Sequence, residues 1–126
     1  MSSPVLELQE MMVARLKAEL AVPVYDAVPD KAETPYVSVG PIGVAQDDAD
    51  CIGGAEVSFQ WDAWSTSSTE CMTIAEAIRV ALHDYETELT DNALVSLEHE
   101  RTVRLRDPGG ETYHAAVQFL ALVEQP

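Results

Sequence analysis

The side chains best suited to chemistry in this 126-residue chain are three histidines, two cysteines, a serine and threonine run, and a large surplus of carboxylates. Glu98, His99 and Glu100 are consecutive and look like a metal cluster in one dimension. On an extended strand, however, alternation sends the histidine to the opposite face from both glutamates. His83 and His114 stand well apart in the sequence. Asp47, Asp48 and Asp50 crowd the polar segment 46–54 and invite a calcium reading. The EF-hand spacing and its closing glutamate are missing, so the segment reads as a solvated hairpin loop. Ser65, Thr66, Ser67 and Ser68 offer hydroxyl nucleophiles but follow the pattern of a helix cap. The sequence contains no GxSxG elbow, P-loop, GxGxxG or HExxH motif. Cys51 and Cys71 are too few and too differently placed for a disulfide framework or a zinc site, and read as free thiols. No acid and base pair stands out among the carboxylates. No catalytic residue, no cofactor and no metal is expected.

The elements that must carry these residues are organised around the stretch 56–85. Val57, Phe59, Trp61 and Ala63 alternate with Glu56, Ser58, Gln60 and Asp62, which makes a strand with one core face and one face that is wet or contacts a partner. Trp64 falls at the bend and is expected to pack under the turn. Ser67 followed three residues later by Glu70 predicts a capping box, and Cys71, Ile74, Ala75, Ile78, Leu82 and Tyr85 form one stripe at the helical period. That stripe is expected to lie on the sheet.

Upstream, residues 4–20 predict a first helix, capped by Ser2 or Ser3, with Pro4 in its first turn and Val5, Leu8, Met12, Leu16 and Leu20 facing inward. Residues 22–28, punctuated by Pro23 and Pro29, read as an edge strand at best. Residues 36–39 form another strand, which Ile42 and Val44 extend past a bulge at Gly40 and Pro41. Downstream, 93–105 is a long strand with Val95, Leu97, His99, Arg101, Val103 and Leu105 on one face. Arg106, Asp107, Pro108, Gly109 and Gly110 make the clearest hairpin turn, and 112–124 returns. The expected fold is α+β: two helices packed on one face of a mainly antiparallel sheet of four to five strands, in the order α-β-β-β-α-β-β, as one domain spanning 1–126. Two helices cover one face only, which leaves the other for water or neighbouring subunits.

The charge balance is extreme, with 22 acidic against 7 basic residues and a formal net charge of −15. Such a surface repels phosphate backbones, so binding to nucleic acid through a basic patch is not expected. The 47% apolar content is that of a globular chain, and no stretch has the length and apolarity of a membrane span or the form of a signal peptide.

Residues 25–29 (Tyr, Asp, Ala, Val, Pro), 34–40 (Thr, Pro, Tyr, Val, Ser, Val, Gly) and the strand end 62–65 stand in order with the helix motif Ile74, Ala75, Ala77, Ile78, Ala81, Leu82, His83. Arg106, Asp107, Pro108, Gly110, Thr112 and His114 follow. In this order and spacing the chain, over roughly 8–124, resembles the tail-completion family of tailed phages, prophages and gene transfer agents. It departs from the family at Gly109 and Gly110, where the family more often has an acidic residue and one glycine.

The resemblance implies a tail terminator: a structural subunit, not an enzyme, that forms a six-membered ring on the head-proximal end of the tail tube. Such a ring stops tube polymerisation and provides the head-docking surface. It further implies three partners (other copies of the chain, the tail tube protein and a head–tail connector protein), with DNA passing through the channel without specific binding. No membrane is involved. Assembly would occur in the host cytoplasm, and the final place would be the head–tail junction of the virion. The expected interface residues lie in the two polar loops: Asp47, Asp48 and Asp50, and Arg106, Asp107, Pro108, Gly109 and Gly110. The residues alone leave a second reading open, a small cytosolic binding or regulatory module without catalytic activity.

Overall fold

The computed structural model describes residues 3–47, 54–106 and 108–124. In chain order the elements are α1 (Pro4–Glu19), β1 (Val24–Tyr25), β2 (Tyr36–Asp47), β3 (Gly54–Ser65), α2 (Ser68–Leu82), β4 (Ala93–Arg106) and β5 (Tyr113–Glu124). The five strands form one sheet in the order β1-β2-β3-β5-β4. All neighbours are antiparallel except β1, whose two residues run parallel to Val37 and Ser38 of β2. This is the expected α+β architecture, and the 22–28 segment supplies the minimal edge strand that its prolines permit.

Both helices lie on one face. α2 crosses β3, β5 and β4, while α1 packs against α2 and β1. The core between the layers takes the odd positions of the two central strands, Val57, Phe59, Trp61 and Ala63 from β3 and Ala115, Val117, Phe119, Ala121 and Val123 from β5. Leu8, Met12 and Leu16 of α1 and Cys71, Ile74, Ile78 and Leu82 of α2 close over them. Truncating a residue such as Phe59 to alanine would cost about 3–5 kcal/mol, since the lost transfer energy is joined by a cavity the rigid layers cannot fill.

The start of α2 differs from a reciprocal capping box. Ser67 does its half, its hydroxyl accepting from the Glu70 amide at 3.2 Å. The Glu70 carboxylate instead accepts from the Ser65 hydroxyl at 2.6 Å, and Ser65 Oγ in turn accepts from the Ser67 amide at 3.0 Å. Ser65 is fully buried, so the relay satisfies a polar atom that the core could not otherwise hold. The helix ends at Leu82. Asp84 then turns the chain with φ of 58°, so Tyr85 reaches the core from beyond the helix rather than from its last turn. In α1 the Ser3 side chain makes no cap, and the Glu7 carboxylate instead accepts from the amides of Asp91 and Asn92 at 3.0 to 3.2 Å, pinning the turn that leads into β4.

The face assignment along β4 changes twice. Register shifts fall between Leu94 and Ser96 and between His99 and Arg101, so Val95 and Glu100 are bulged. Each extra residue reverses which side the following side chains take. Leu94, Leu97, His99, Thr102 and Arg104 therefore lie opposite helix-facing residues of β5, while Ser96, Glu98, Arg101, Val103 and Leu105 lie opposite residues of the uncovered face. Strict alternation could not place Leu94 and Leu97 on one side.

Candidate functional site

The uncovered face of the sheet carries the most organised polar constellation among the described residues. It uses the even positions of β3 and β5 and their β2 partners, which pair as Ser38 with Asp62, Asp62 with Ala116 and Trp64 with His114. His114 Nε2 and Asp62 Oδ1 are 2.6 Å apart, with side chains only 16% and 9% exposed. Gln60 Nε2 donates to the same carboxylate oxygen at 2.8 Å and Gln118 Nε2 donates to Gln60 Oε1 at 3.2 Å. On the other side Trp64 stacks on His114 and its indole N–H donates to Ser38 Oγ at 3.0 Å, with Tyr36 stacked beyond it. Trp64 thus continues the β3 alternation instead of packing under the turn, because the strand runs one residue past it to Ser65.

Next to this network the bulges of β2 and β4 leave a groove of about 640 Å³ across the face, lined by Pro41, Gly43, Ser58, Gln60, Arg101 and Gln118. Gly40 approaches the network so closely that a Cβ there would meet Asp62 Oδ2 at 2.5 Å. The imidazole of His114 has its Nε2 committed to Asp62 and its ring to the indole. Held this way, the face is a firm polar plate with an aromatic end, suited to binding a complementary surface.

The other two histidines come together elsewhere. His83 Nδ1 accepts from the backbone amide of His99 at 3.0 Å, which leaves the proton on Nε2, 3.3 Å from Asp84. The His99 ring bonds Thr102 Oγ1 at 2.8 Å and sits edge-on to Phe119. Burial, and then the charges of Arg79 and His83, hold its pKa below the ordinary histidine value. Cys71 is buried with its thiol toward the Ala63 carbonyl, and burial pushes its pKa up. Among the described residues no group of three or more His, Cys, Asp or Glu side chains is placed to hold a metal ion, and no helix is long and apolar enough to cross a membrane.

The expected interface residues fall at opposite ends of the sheet. Asp47 closes β2 opposite Gly54, which neighbours Glu124, while Arg106 closes β4 opposite Tyr113, which neighbours Ser65. The two ends are separated by the length of a twelve-residue strand, about 40 Å. Arg106 Nη2 donates to the Gly110 carbonyl at 3.2 Å and Gly110 takes φ of 75°, so the turn closes on itself as its glycine permits. Pro108 and Gly109 are exposed. Asp48, Asp50 and Asp107 lie outside the described residues, as does Cys51. The plate on the uncovered face was not among the expected sites; its only sequence signal is that Gln60, Asp62, Trp64, His114 and Gln118 share one parity on two paired strands.

Among the described residues, the second face of this two-layer α+β unit has no element packed on it and carries the polar plate. The sequence matches the tail completion protein gp17 family over residues 10–124, and the chain belongs to that family, which makes it a structural tail protein. The fold is also similar to a chain in the virion of a native gene transfer agent particle, with a TM-score of 0.85, 28% sequence identity, and coverage of 98% of this chain and 99% of that one. A comparison with curated proteins gives no match.

Proposed function

We propose that this protein is a tail terminator, a subunit of a six-membered ring on the head-proximal end of a phage-like tail tube that stops tube growth and offers the head its docking surface. The observation that carries the reading is the similarity, along nearly the whole length of both chains, to a component of an assembled gene transfer agent virion. The fold supports it: a ring between tube and head needs each subunit to meet two neighbours in the ring and one partner at each end. This molecule offers two sheet edges, and at its two ends the Asp47 end of β2 and the Arg106 end of β4. Contacts between different patches close into rings when the rotation allows. The tail tube protein and a head–tail connector protein are then the end partners, and DNA passes without binding. The protein assembles in the host cytoplasm and stays at the head–tail junction.

The test is electron microscopy of particles made without the protein. Overlong tubes lacking heads, returned to normal by supplying the protein, are the expected result. Normal-length tails joined to heads in its absence overturn the reading, as does a strictly monomeric or two-fold dimeric state on the tube end.

A further inference from the structure

Three of the seven basic residues, Arg101, Arg104 and Arg106, fall within six positions on the edge strand β4. All three are exposed, and among the described residues none has a carboxylate within ion-pair distance, whereas Arg15 pairs with Glu19 and Arg79 with Glu76. Arg104 instead contacts the Ser68 hydroxyl, and both Arg104 and Arg106 lie over the Tyr113 ring. Leu105, 50% exposed, leaves the other side of the strand. In a chain with 22 acidic residues, three arginines so close together on one edge are unusual.

The opposite edge of the sheet has the complementary form. There, beside β1, the outer side of α1 carries a groove of about 450 Å³ with an apolar floor of Leu6, Val13 and Ala14, and Leu6 is 58% exposed. Glu10 and Asp26 rim the groove, and Gln9 Nε2 holds Asp26 Oδ1 at 2.6 Å, tying helix to strand. Lys17 lines the same groove and gives the seating a polarity, with arginines directed toward Glu10 and Asp26 and away from it.

We propose that the 101–106 half of β4 seats on the α1–β1 groove of the next copy of this chain, Arg104 and Arg106, which share one side of the strand, meeting Glu10 and Asp26 while their aliphatic stems cover the apolar floor. This deepens the ring reading and rests on it. Because β1 and β4 are opposite edges, the contact is head-to-tail and propagates around a ring instead of closing a two-fold dimer. It runs through side chains. The bulges at Val95 and Glu100 interrupt the β4 ladder, which disfavours simple strand-to-strand extension.

The test uses wild-type protein and variants at about 0.15 M salt, alone and with tail tubes of the parent particle. In a Cys51→Ser background, Leu6→Cys with Thr102→Cys, on the same side of β4 as Arg104, should oxidise to a covalent ladder that stops at the ring number, and either single variant should give nothing beyond a dimer. Arg104→Glu with Arg106→Glu, and Glu10→Arg with Asp26→Arg, should each cut the assembled fraction by about tenfold or more, and the four changes combined should restore it. Circular dichroism confirms that each variant is folded. Wild-type rings with no ladder, or with full assembly by the reversed variants, overturn this contact and leave the ring standing. Rings that form normally in the arginine variant but fail to bind tubes assign the edge to the tube protein and also overturn it. Absence of wild-type rings on tube ends removes both readings.

Discussion

The indole of Trp64 lies flat on the imidazole of His114, ring centroids 4.1 Å apart and planes 5° from parallel. The stack joins two halves of one network, since Trp64 is bonded to Ser38 on β2 and His114 to Asp62 on β3. Asp62 is the hinge of that network, accepting from Gln60 as well while 6% exposed overall. Asp62→Ala would leave two half-buried donors without their acceptor. We predict a loss of about 1–3 kcal/mol in urea unfolding. Ser58→Ala, on the same face but exposed, should change stability by no more than about 0.5 kcal/mol.

Two glycines of β2 separate crowding that matters from crowding that does not. A Cβ at Gly40 would meet Asp62 Oδ2 at 2.5 Å and Gln60 Nε2 at 3.1 Å, both held in the network. A Cβ at Gly43 would meet Ser58 Oγ at 2.6 Å, the end of an exposed side chain that can rotate away. Gly40→Ala should therefore cost about 1–3 kcal/mol by overpacking, and Gly43→Ala no more than about 0.5 kcal/mol. Thermal or urea melts of the pair check the difference, and equal losses would count against the network's rigidity.

Much of the architecture was legible from local pattern. The β3 alternation and the α2 stripe name most of the core, because burial on one face imposes the period of the element. What alternation cannot foresee is a bulge that depends on the partner strand, so the faces of β4 at Val95 and Glu100 came out reversed along its length. The uncovered-face plate was hidden for a related reason. Asp62 and His114 are distant in sequence and meet only because β3 pairs with β5, and single-sequence periodicity carries no pairing information. The Glu7 contact to Asp91 and Asn92 is equally non-local. The expected interface residues rest on polarity and glycine content, and that Asp47 and Arg106 close opposite ends of the sheet follows from strand pairing, which the turn residues do not encode.

His99 makes acid sensitivity specific. Its folded-state pKa lies below the unfolded value of about 6.5, chiefly through burial and then through Arg79 and His83. The folded protein therefore binds fewer protons at this residue than the unfolded chain. The stability it contributes is fully present above about pH 6.5 and is lost as pH falls through the depressed folded pKa. His99→Gln should flatten the slope of stability against pH in that window while leaving the slope above pH 7 unchanged. Denaturant melts from about pH 5 to 8 measure it, and parallel slopes for both proteins would refute the assignment.

Six copies at −15 each carry a formal charge of −90 in the proposed ring. Two opposing electrostatic effects follow, and their ranges decide between them. The arginine contacts to Glu10 and Asp26 act at a few ångströms, where salt screens little once water is displaced. Repulsion between whole subunits acts over tens of ångströms and is cut strongly as the screening length falls from about 30 Å at 0.01 M salt to about 10 Å at 0.1 M. Raising salt therefore removes more repulsion than attraction, and subunits should pass from monomers at low salt to rings at moderate salt, or assemble at low salt only on a tube end that holds them together. In the proposed ring the same negative field should keep duplex DNA from adhering to the channel wall. Sedimentation across a salt series, run beside a gel-shift assay with duplex DNA, measures both. Rings that dissociate as salt rises toward 0.1 M, or tight DNA binding at about 0.15 M salt, would show that the cationic edge outweighs the acidic surface.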